Sequence, residues 1–418
     1  MTIESAPRMR IACTECQRSF EQKYVTFCEC GGYAEVTYDL SRVKLVVSDN
    51  HFVRFRDLLP IRDTRLLPDQ ATRTELVHAK RLGAVLGMSR LYLKDETTLP
   101  TGTTKDRMAA IALAYLYEAG IRTFCTSSTG NSSSAFARAV RRFPDMKMFL
   151  FTAESFHHRV NYRDCDQIVH YVLRDATFVD AFNQASVFAK ANGLASERGF
   201  FNIGRREGLK LCYLEAMDQA PEPMEWYVQA VSSAMGVAGV YKGAKELKGL
   251  GKISRLPKLL CVQQESCAPM AKAWLEGADQ VAPEHIVHHP QGIAEAILRG
   301  DPSKVYPIIR SIVQESHGAF EIASESSIRE ARELLLEHEN IDACFSASAA
   351  LAGLIQGVRT GRIPADESFL VNLTGSDRPF DPDQTKHQEI RWLVRSGDQF
   401  VPEIGYEGTA GSREEKSS

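Results

Sequence analysis

The sequence predicts an α/β protein built on mostly parallel sheet, headed by a small cysteine-rich module. Three observations predict it. Short apolar runs of strand length alternate with amphipathic helical patterns, which puts helices on the faces of parallel sheets. The 418 residues are enough for two or three domains with large cores. Residues 1–40 are poor in aliphatic runs yet hold four of the ten cysteines.

The elements follow in order. Runs at 91–94, 122–126, 146–152, 226–231, 259–263 and 369–373 have strand length and composition. Helical patterns at 107–118, 135–142, 181–192, 239–247, 326–337 and 349–360 separate many of them. No repeat of fixed period is present. Residues 41–400 read as one continuous body, and 401–418, rich in Glu, Gly and Ser, as a disordered tail.

Charge excludes some partners. Fifty basic against 53 acidic residues give a net charge of −3. That balance disfavours nucleic acid and anionic membranes, which call for a basic excess. No apolar stretch approaches the roughly 20 residues of a spanning helix. The start, MTIESAPRMR, has no apolar leader core, so a cytoplasmic protein is expected. Its cysteines are then reduced thiols or metal ligands.

Cys13-x-x-Cys16 and Cys28-x-Cys30-Gly31-Gly32 make two close pairs. Four thiolates are a full tetrahedral set for structural zinc, and the glycines let backbone amides approach the sulfurs. Four unrelated thiols, or a redox pair, are the alternatives.

The most informative stretch is Leu91-Tyr92-Leu93-Lys94-Asp95-Glu96 followed by Pro100-Thr101-Gly102-Thr103-Thr104-Lys105-Asp106-Arg107. It reads as a strand, a loop and a helix start. Thr103 and Asp106 have the spacing of a capping box. Lys105 then falls in the first helical turn, where the helix dipole and partial burial lower an amine's pKa and make it a nucleophile. A solvated surface lysine is the plain alternative. Two further strand–helix junctions share this chemistry: Ser127-Ser128-Thr129-Gly130-Asn131-Ser132, and Ser232-Ser233-Ala234-Met235-Gly236. Such junctions offer backbone N–H groups to anions. Thr374-Gly375-Ser376 follows another strand and offers a neutral hydroxyl. An amine with several anion sites suits a phosphorylated carbonyl cofactor, and pyridoxal phosphate fits.

These residues resemble the threonine synthase group of the tryptophan-synthase-β-like, fold type II pyridoxal-phosphate enzymes. PTGTTKDR is similar to the family's PTGSFKDR, which implies Lys105 as the cofactor-bearing lysine. SSTGNSSSA is similar to STGNTSA. It implies Asn131 against the pyridine 3′-oxygen, with Ser128, Thr129 and Ser132 around the substrate carboxylate. VSSAMGVAGVYKGAKEL resembles the phosphate-loop segment, implying Ser232, Ser233, Ala234, Met235 and Gly236 at the phosphate. VNLTGSD implies Thr374 at the pyridine nitrogen. The segment Asn202-x-x-Arg205-x-Glu207-Gly208-x-Lys210 resembles one near the substrate. Arg205 and Lys210 then hold an anionic leaving group, or else are surface charges. Similar relatives carry an N-terminal ribbon ending in CECGG, which agrees with zinc at Cys13, Cys16, Cys28 and Cys30.

The resemblance implies two doubly wound domains, the smaller near 110–200 inserted in a larger one at 41–109 and 201–400. It also implies a homodimer acting on a small amino acid. The expected reaction is β/γ-elimination and replacement on an O-phospho or otherwise activated amino acid, releasing phosphate, as in amino-acid biosynthesis. Several positions depart from the pattern. Met235 stands in a loop that is glycine-rich in the family, Phe345-Ser346 replaces Glu-Pro, and Asp377-Arg378-Pro379 replaces Gly-Leu-Lys. These changes point to a substrate other than, or beyond, phosphohomoserine. A β-replacement enzyme making a non-standard amino acid, or a retired enzyme that only binds, are the competing readings.

Overall fold

The computed structural model describes residues 8–21, 24–70, 72–160, 162, 165–377, 390–397 and 399–403. The chain divides into two compact units, residues 1–120 with 198–378, and residues 121–197 with 379–418.

The first unit is built on a six-stranded sheet. Its order is Ala319–Ala323, Lys258–Gln264, Trp226–Ala230, Phe369–Leu373, Leu91–Asp95 and Leu76–His78. All pairs are parallel except the last, an antiparallel edge. Central strands are buried end to end, as Phe369–Leu373 is, because helices cover both faces. On one face Val228, Val262 and Val371 pack with Ala347, Leu351 and Leu354 of the helix Phe345–Arg359 and with Ile328 and Leu335 of Glu325–Glu339. The helices Lys105–Glu118, Ile203–Leu209, Leu211–Gln219 and Met235–Gly249 pack together elsewhere in the unit.

The cysteine head belongs to this unit by its contacts. Its antiparallel sheet orders Ser19–Phe20, Met9–Cys13 and Ala34–Tyr38. The Tyr38 hydroxyl donates to Glu207 Oε2 at 2.6 Å, and the Phe27 and Phe201 rings lie 4.4 Å apart.

The second unit has its own six-stranded sheet, ordered Gln399–Pro402, Ile390–Ser396, Ile168–Leu173, Lys147–Ala153, Thr123–Ser127 and Ala195–Ser196. Phe151, Val169 and Leu173 pack against Ala181 and Ala185 of the helix Phe178–Ala191. Thr177 and Asp180 start that helix with a capping box.

Two expectations change. Ile390–Ser396, assigned to the larger body, joins the second unit's sheet, with Ile390–Leu393 paired to His170–Leu173, and Gln399 and Phe400 pair in turn with Ser396 and Arg395. Val401 and Pro402, assigned to the tail, pair with Val394 and Leu393. Alternating apolar side chains and a docked edge explain both. The remainder of the expected tail, 404–418, lies outside the described residues. Among the described residues, no helix is long and apolar enough to cross a membrane.

Candidate active site

Three neighbouring parallel strands of the first unit, Trp226–Ala230, Phe369–Leu373 and Leu91–Asp95, end at one edge. The loops beyond them carry residues 232–236, Thr374 and Lys105. Such an edge is where α/β sheets hold ligands.

Lys105 is the first residue of its helix. The expected capping box is absent, because the helix starts one residue later than that box requires. Thr103 Oγ1 instead accepts from the Lys105 N–H at 2.9 Å, and Asp106 Oδ2 accepts from the Thr101 N–H at 2.6 Å. Backbone hydrogen bonds stitch the lysine loop to the Thr374 loop, from Thr104 N to Thr374 O and from Ser376 N to Gly102 O, both 2.9 Å. Cys344 N donates to Gly375 O at 3.0 Å and brings in the start of the Phe345–Arg359 helix.

The Lys105 side chain is half-buried. Burial, and then the positive charge of Arg205, lower its amine to about 8. Cys212, Cys344 and Glu96 oppose that shift. The two cysteines look like core filler in the sequence. They are buried, and they are also within electrostatic reach of the amine.

Arg107, two residues on, is fully buried. Its Nε and NH2 donate to Glu96, NH1 donates to Glu215 at 2.9 Å, and NH2 also reaches Thr74 Oγ1. Lys94 Nζ donates to the other oxygen of Glu215 at 2.7 Å. This cluster fixes the lysine helix to the strand that precedes it.

In the loop at 232–236 the left-handed residue is Ala234, with φ 53°. Met235 instead begins the 15-residue helix Met235–Gly249 and is buried. Gly236 packs closely on Gln229, since a Cβ there would lie 2.8 Å from Gln229 Nε2 and the amide would have to shift. Gln229 belongs to a buried polar layer: Tyr227 donates to its Oε1 at 2.6 Å, and Asn372 Nδ2 donates to Tyr227 at 2.8 Å. Sequence reasoning missed this layer. The available signal was Tyr227 and Gln229 at period two inside an otherwise apolar strand.

Arg205 is buried on the helix Ile203–Leu209 and acts on Lys105 as described. Lys210 does not fit its expected role. It is fully buried, with Nζ 2.5 Å from Glu207 Oε2 and 2.8 Å from Glu246 Oε2. Two carboxylates inside the protein already neutralise its charge, so it is not available to a substrate anion.

In the second unit, Ser128 to Ser132 lead from Thr123–Ser127 into the helix Asn131–Val140. Ser128 Oγ accepts from the N–H groups of Gly130 and Ser133, each at 3.1 Å. Gly130 has φ 120°, and a Cβ there would meet Arg159 at 2.6 Å, so only glycine makes this turn. Thr129, Asn131 and Ser132 are partly exposed around it.

In the head, the ligand atoms of Cys13, Cys16, Cys28 and Cys30 all lie within 4.8 Å of one another. Cys13 and Cys30 sulfurs are 3.4 Å apart, Cys16 and Cys28 sulfurs 3.7 Å. The Gly32 amide and the neighbouring Cys13 pull the Cys30 thiol down to about 7, and a Cβ on Gly32 would lie 2.6 Å from Cys13 Sγ. The glycine therefore does let backbone approach sulfur.

Comparison with known proteins identifies the family. A model of the family described as pyridoxal-phosphate dependent enzymes matches residues 67–375. The threonine synthase of Methanocaldococcus jannaschii is 28% identical over 381 residues, covering 87% of this chain and 91% of that one. The cysteate synthase of Methanospirillum hungatei JF-1 is 27% identical over 385 residues, covering 87% and 89%. Among solved structures, the T.th. threonine deaminase matches with a TM-score of 0.59 at 20% identity, over 74% of this chain and 94% of that one. Maize serine racemase matches with a TM-score of 0.60 at 16% identity, over 73% and 88%. These two likenesses show the fold, which is the fold type expected from the sequence. The chain belongs to the pyridoxal-phosphate dependent enzyme family.

Proposed function

We propose that the protein is a lyase or synthase working by β/γ-elimination and replacement on an O-phospho or otherwise activated amino acid, releasing phosphate as threonine synthases do. The observation that carries this reading is the Lys105 junction, a half-buried amine lowered to about 8 by burial and Arg205, its loop bonded to that of Thr374.

The residues fit pyridoxal phosphate. Thr101 Oγ1 and Thr104 Oγ1, just before Lys105, are buried without a protein partner, a state a bound polar ligand relieves. Lys105 Nζ would hold the aldehyde carbon. Ser232, Ser233 and the first N–H groups of the Met235–Gly249 helix take the phosphate. Thr374 would take the ring nitrogen, and the family resemblance assigns Asn131 to the ring oxygen and Ser128, Thr129 and Ser132 to the substrate carboxylate. When bound, the cofactor supplies an electron sink for the carbanion formed at the substrate Cα. An amine lowered to about 8 is neutral more often near neutral pH than an ordinary lysine. Where its tether to the cofactor is released, Lys105 Nζ would be the base for the Cα proton. Arg205 is the cation for the departing anion. Thr374, a neutral hydroxyl, would not favour protonation of the ring nitrogen.

A second reading is β-replacement yielding a non-standard amino acid. Relatives named for cysteate stand beside those named for threonine. The departures from the family pattern also gather by the Thr374 loop. Phe345 lies under Arg332 at 4.6 Å, and Arg332 pairs with Asp377 at 2.7 Å. Ser346 Oγ accepts from the Ala296 N–H. The proposal includes structural zinc in the head, whose sulfur spacings of 3.4 and 3.7 Å are near the ~3.8 Å edge of a tetrahedron with Zn–S of about 2.3 Å. It also includes a cytoplasmic homodimer.

Phosphate release measured over O-phosphohomoserine and O-phosphoserine, with NMR of the products, tests the reading. Release from phosphohomoserine supports the first version, and release from phosphoserine with an added nucleophile supports the second. No release from either counts against both.

A further inference from the structure

The helix Ile203–Leu209 is gripped on three sides. A Cβ on Gly204 would lie 2.7 Å from Ala112 Cα, and one on Gly208 2.6 Å from Arg107 O, so this helix touches the lysine helix backbone to backbone. A Cβ on Gly239 of the Met235–Gly249 helix would collide with Arg206 O. The third neighbour is the cysteine head. Arg206 NH2 donates to Ala34 O at 2.9 Å and pairs with Glu35 at 3.3 Å, and its guanidinium lies 5.2 Å from the Tyr33 ring centroid. Glu207 accepts from Tyr38 at 2.6 Å and from Lys242 at 2.5 Å.

Adjacent helical residues point about 100° apart, so neighbours in sequence serve different surroundings. Gly204 and Gly208 lie against the helix that Lys105 begins, the charge of Arg205 bears on its amine, and Arg206 and Glu207 hold Ala34–Tyr38. That strand pairs along its length with Met9–Cys13, which ends in one of the four sulfurs. No residue of the head need touch a substrate for its state to reach the site.

We propose that Ile203–Leu209 is a lever by which the metal-loaded head positions Arg205, with Arg206 and Glu207 as positioning residues, so that metal in the head tunes affinity for an anionic substrate and the reactivity of Lys105. The substrate half rests on the proposed function, and the Lys105 half does not. The groups whose charge bears on the amine are Arg205 on the lever, Cys212 on Leu211–Gln219, Cys344 before Phe345–Arg359, and Glu96 after Leu91–Asp95. Displacing Arg205 removes a charge that opposes protonation, so the amine titrates higher.

The test uses the full, zinc-loaded protein and the variants Arg206→Met, Arg206→Lys and Tyr38→Phe. Visible absorbance follows pyridoxal phosphate uptake against pH, alongside KM, kcat and Tm. Arg206→Met is expected to move the uptake midpoint up by about half a pH unit or more. It also raises KM about tenfold, a larger change than in kcat. Arg206→Lys restores part of both, and Tyr38→Phe gives a smaller shift in the same direction. Zinc withdrawn by a chelator, with far-UV circular dichroism unchanged, reproduces Arg206→Met. Variants that lower Tm but leave the midpoint and KM at wild-type values overturn the lever. A zinc-free protein that keeps both values overturns the role of the metal. If zinc removal unfolds the chain, Tyr38→Phe decides. A wild-type protein that releases no phosphate defeats the proposed function, yet the uptake midpoint still tests the lever.

Discussion

Two buried charge clusters lie in the first unit, and they anchor it differently. Around Arg107, one planar guanidinium bridges Glu96 and Glu215, with Lys94 on the second carboxylate. Every member comes from the sheet or the helices packed in the same unit. Around Lys210, two ammonium groups share Glu207 and Glu246, while Lys242 and Arg206 reach across to Glu35 of the head. The first cluster fixes the lysine helix by fold alone. The second holds its neighbour through a module that depends on four sulfurs. One site thus has an unconditional anchor and a conditional one.

The largest expected effect breaks the first anchor. Arg107→Met leaves Glu96 and Glu215 buried without their bridge and is expected to cost about 3–5 kcal/mol in urea unfolding. Arg107→Lys does not rescue it, because a point charge cannot span two carboxylates. Lys210→Met leaves Glu207 with Tyr38 and Lys242, so about 2 kcal/mol is expected. Equal losses would erase the distinction between the clusters.

Acid separates them further. Burial, then Arg107, hold His51 of the first cluster at about 4 against Glu215, which pulls the other way. A histidine whose folded value is depressed is protonated first in the unfolded chain. Its contribution is therefore complete above the ordinary 6.5 and lost as pH falls towards 4, amounting to roughly 3 kcal/mol. Among the described residues, the Lys210 cluster brings in no histidine. His51→Phe is expected to flatten the stability slope between pH 6.5 and 4. A slope unchanged by that substitution would place the acid sensitivity elsewhere, with His170 of the second unit, lowered to about 3 by burial and His157, the next to examine.

The smallest effect lies outside both clusters and calibrates them. Ala234 sits in the left-handed region at φ 53°, where a Cβ costs about 1 kcal/mol. Ala234→Gly is expected to stabilise by about that amount in the same urea assay, and destabilisation would contradict the backbone assignment.

Much of this was legible in the sequence. The strands at 91–95, 226–230 and 369–373 announce themselves as apolar runs, and the loops after them carry small and hydroxyl residues. Spacing alone also exposed the four sulfurs. Other features were hidden because they depend on partners distant in the chain. Lys210 looks like a surface charge until Glu246 closes over it. Arg107 reads as part of a motif, and only Glu215, brought in from another helix, shows it to be a clamp. Met235 drew attention by its size, while the unusual backbone belongs to Ala234 beside it. Helix phase, invisible to a motif match, decided that.

The most direct test reduces the pyridoxal-phosphate-loaded protein with borohydride and maps the labelled peptide. The account predicts one pyridoxyl group, on Lys105, with visible absorbance absent from Lys105→Ala. Label on another lysine, or undiminished absorbance in Lys105→Ala, would contradict it.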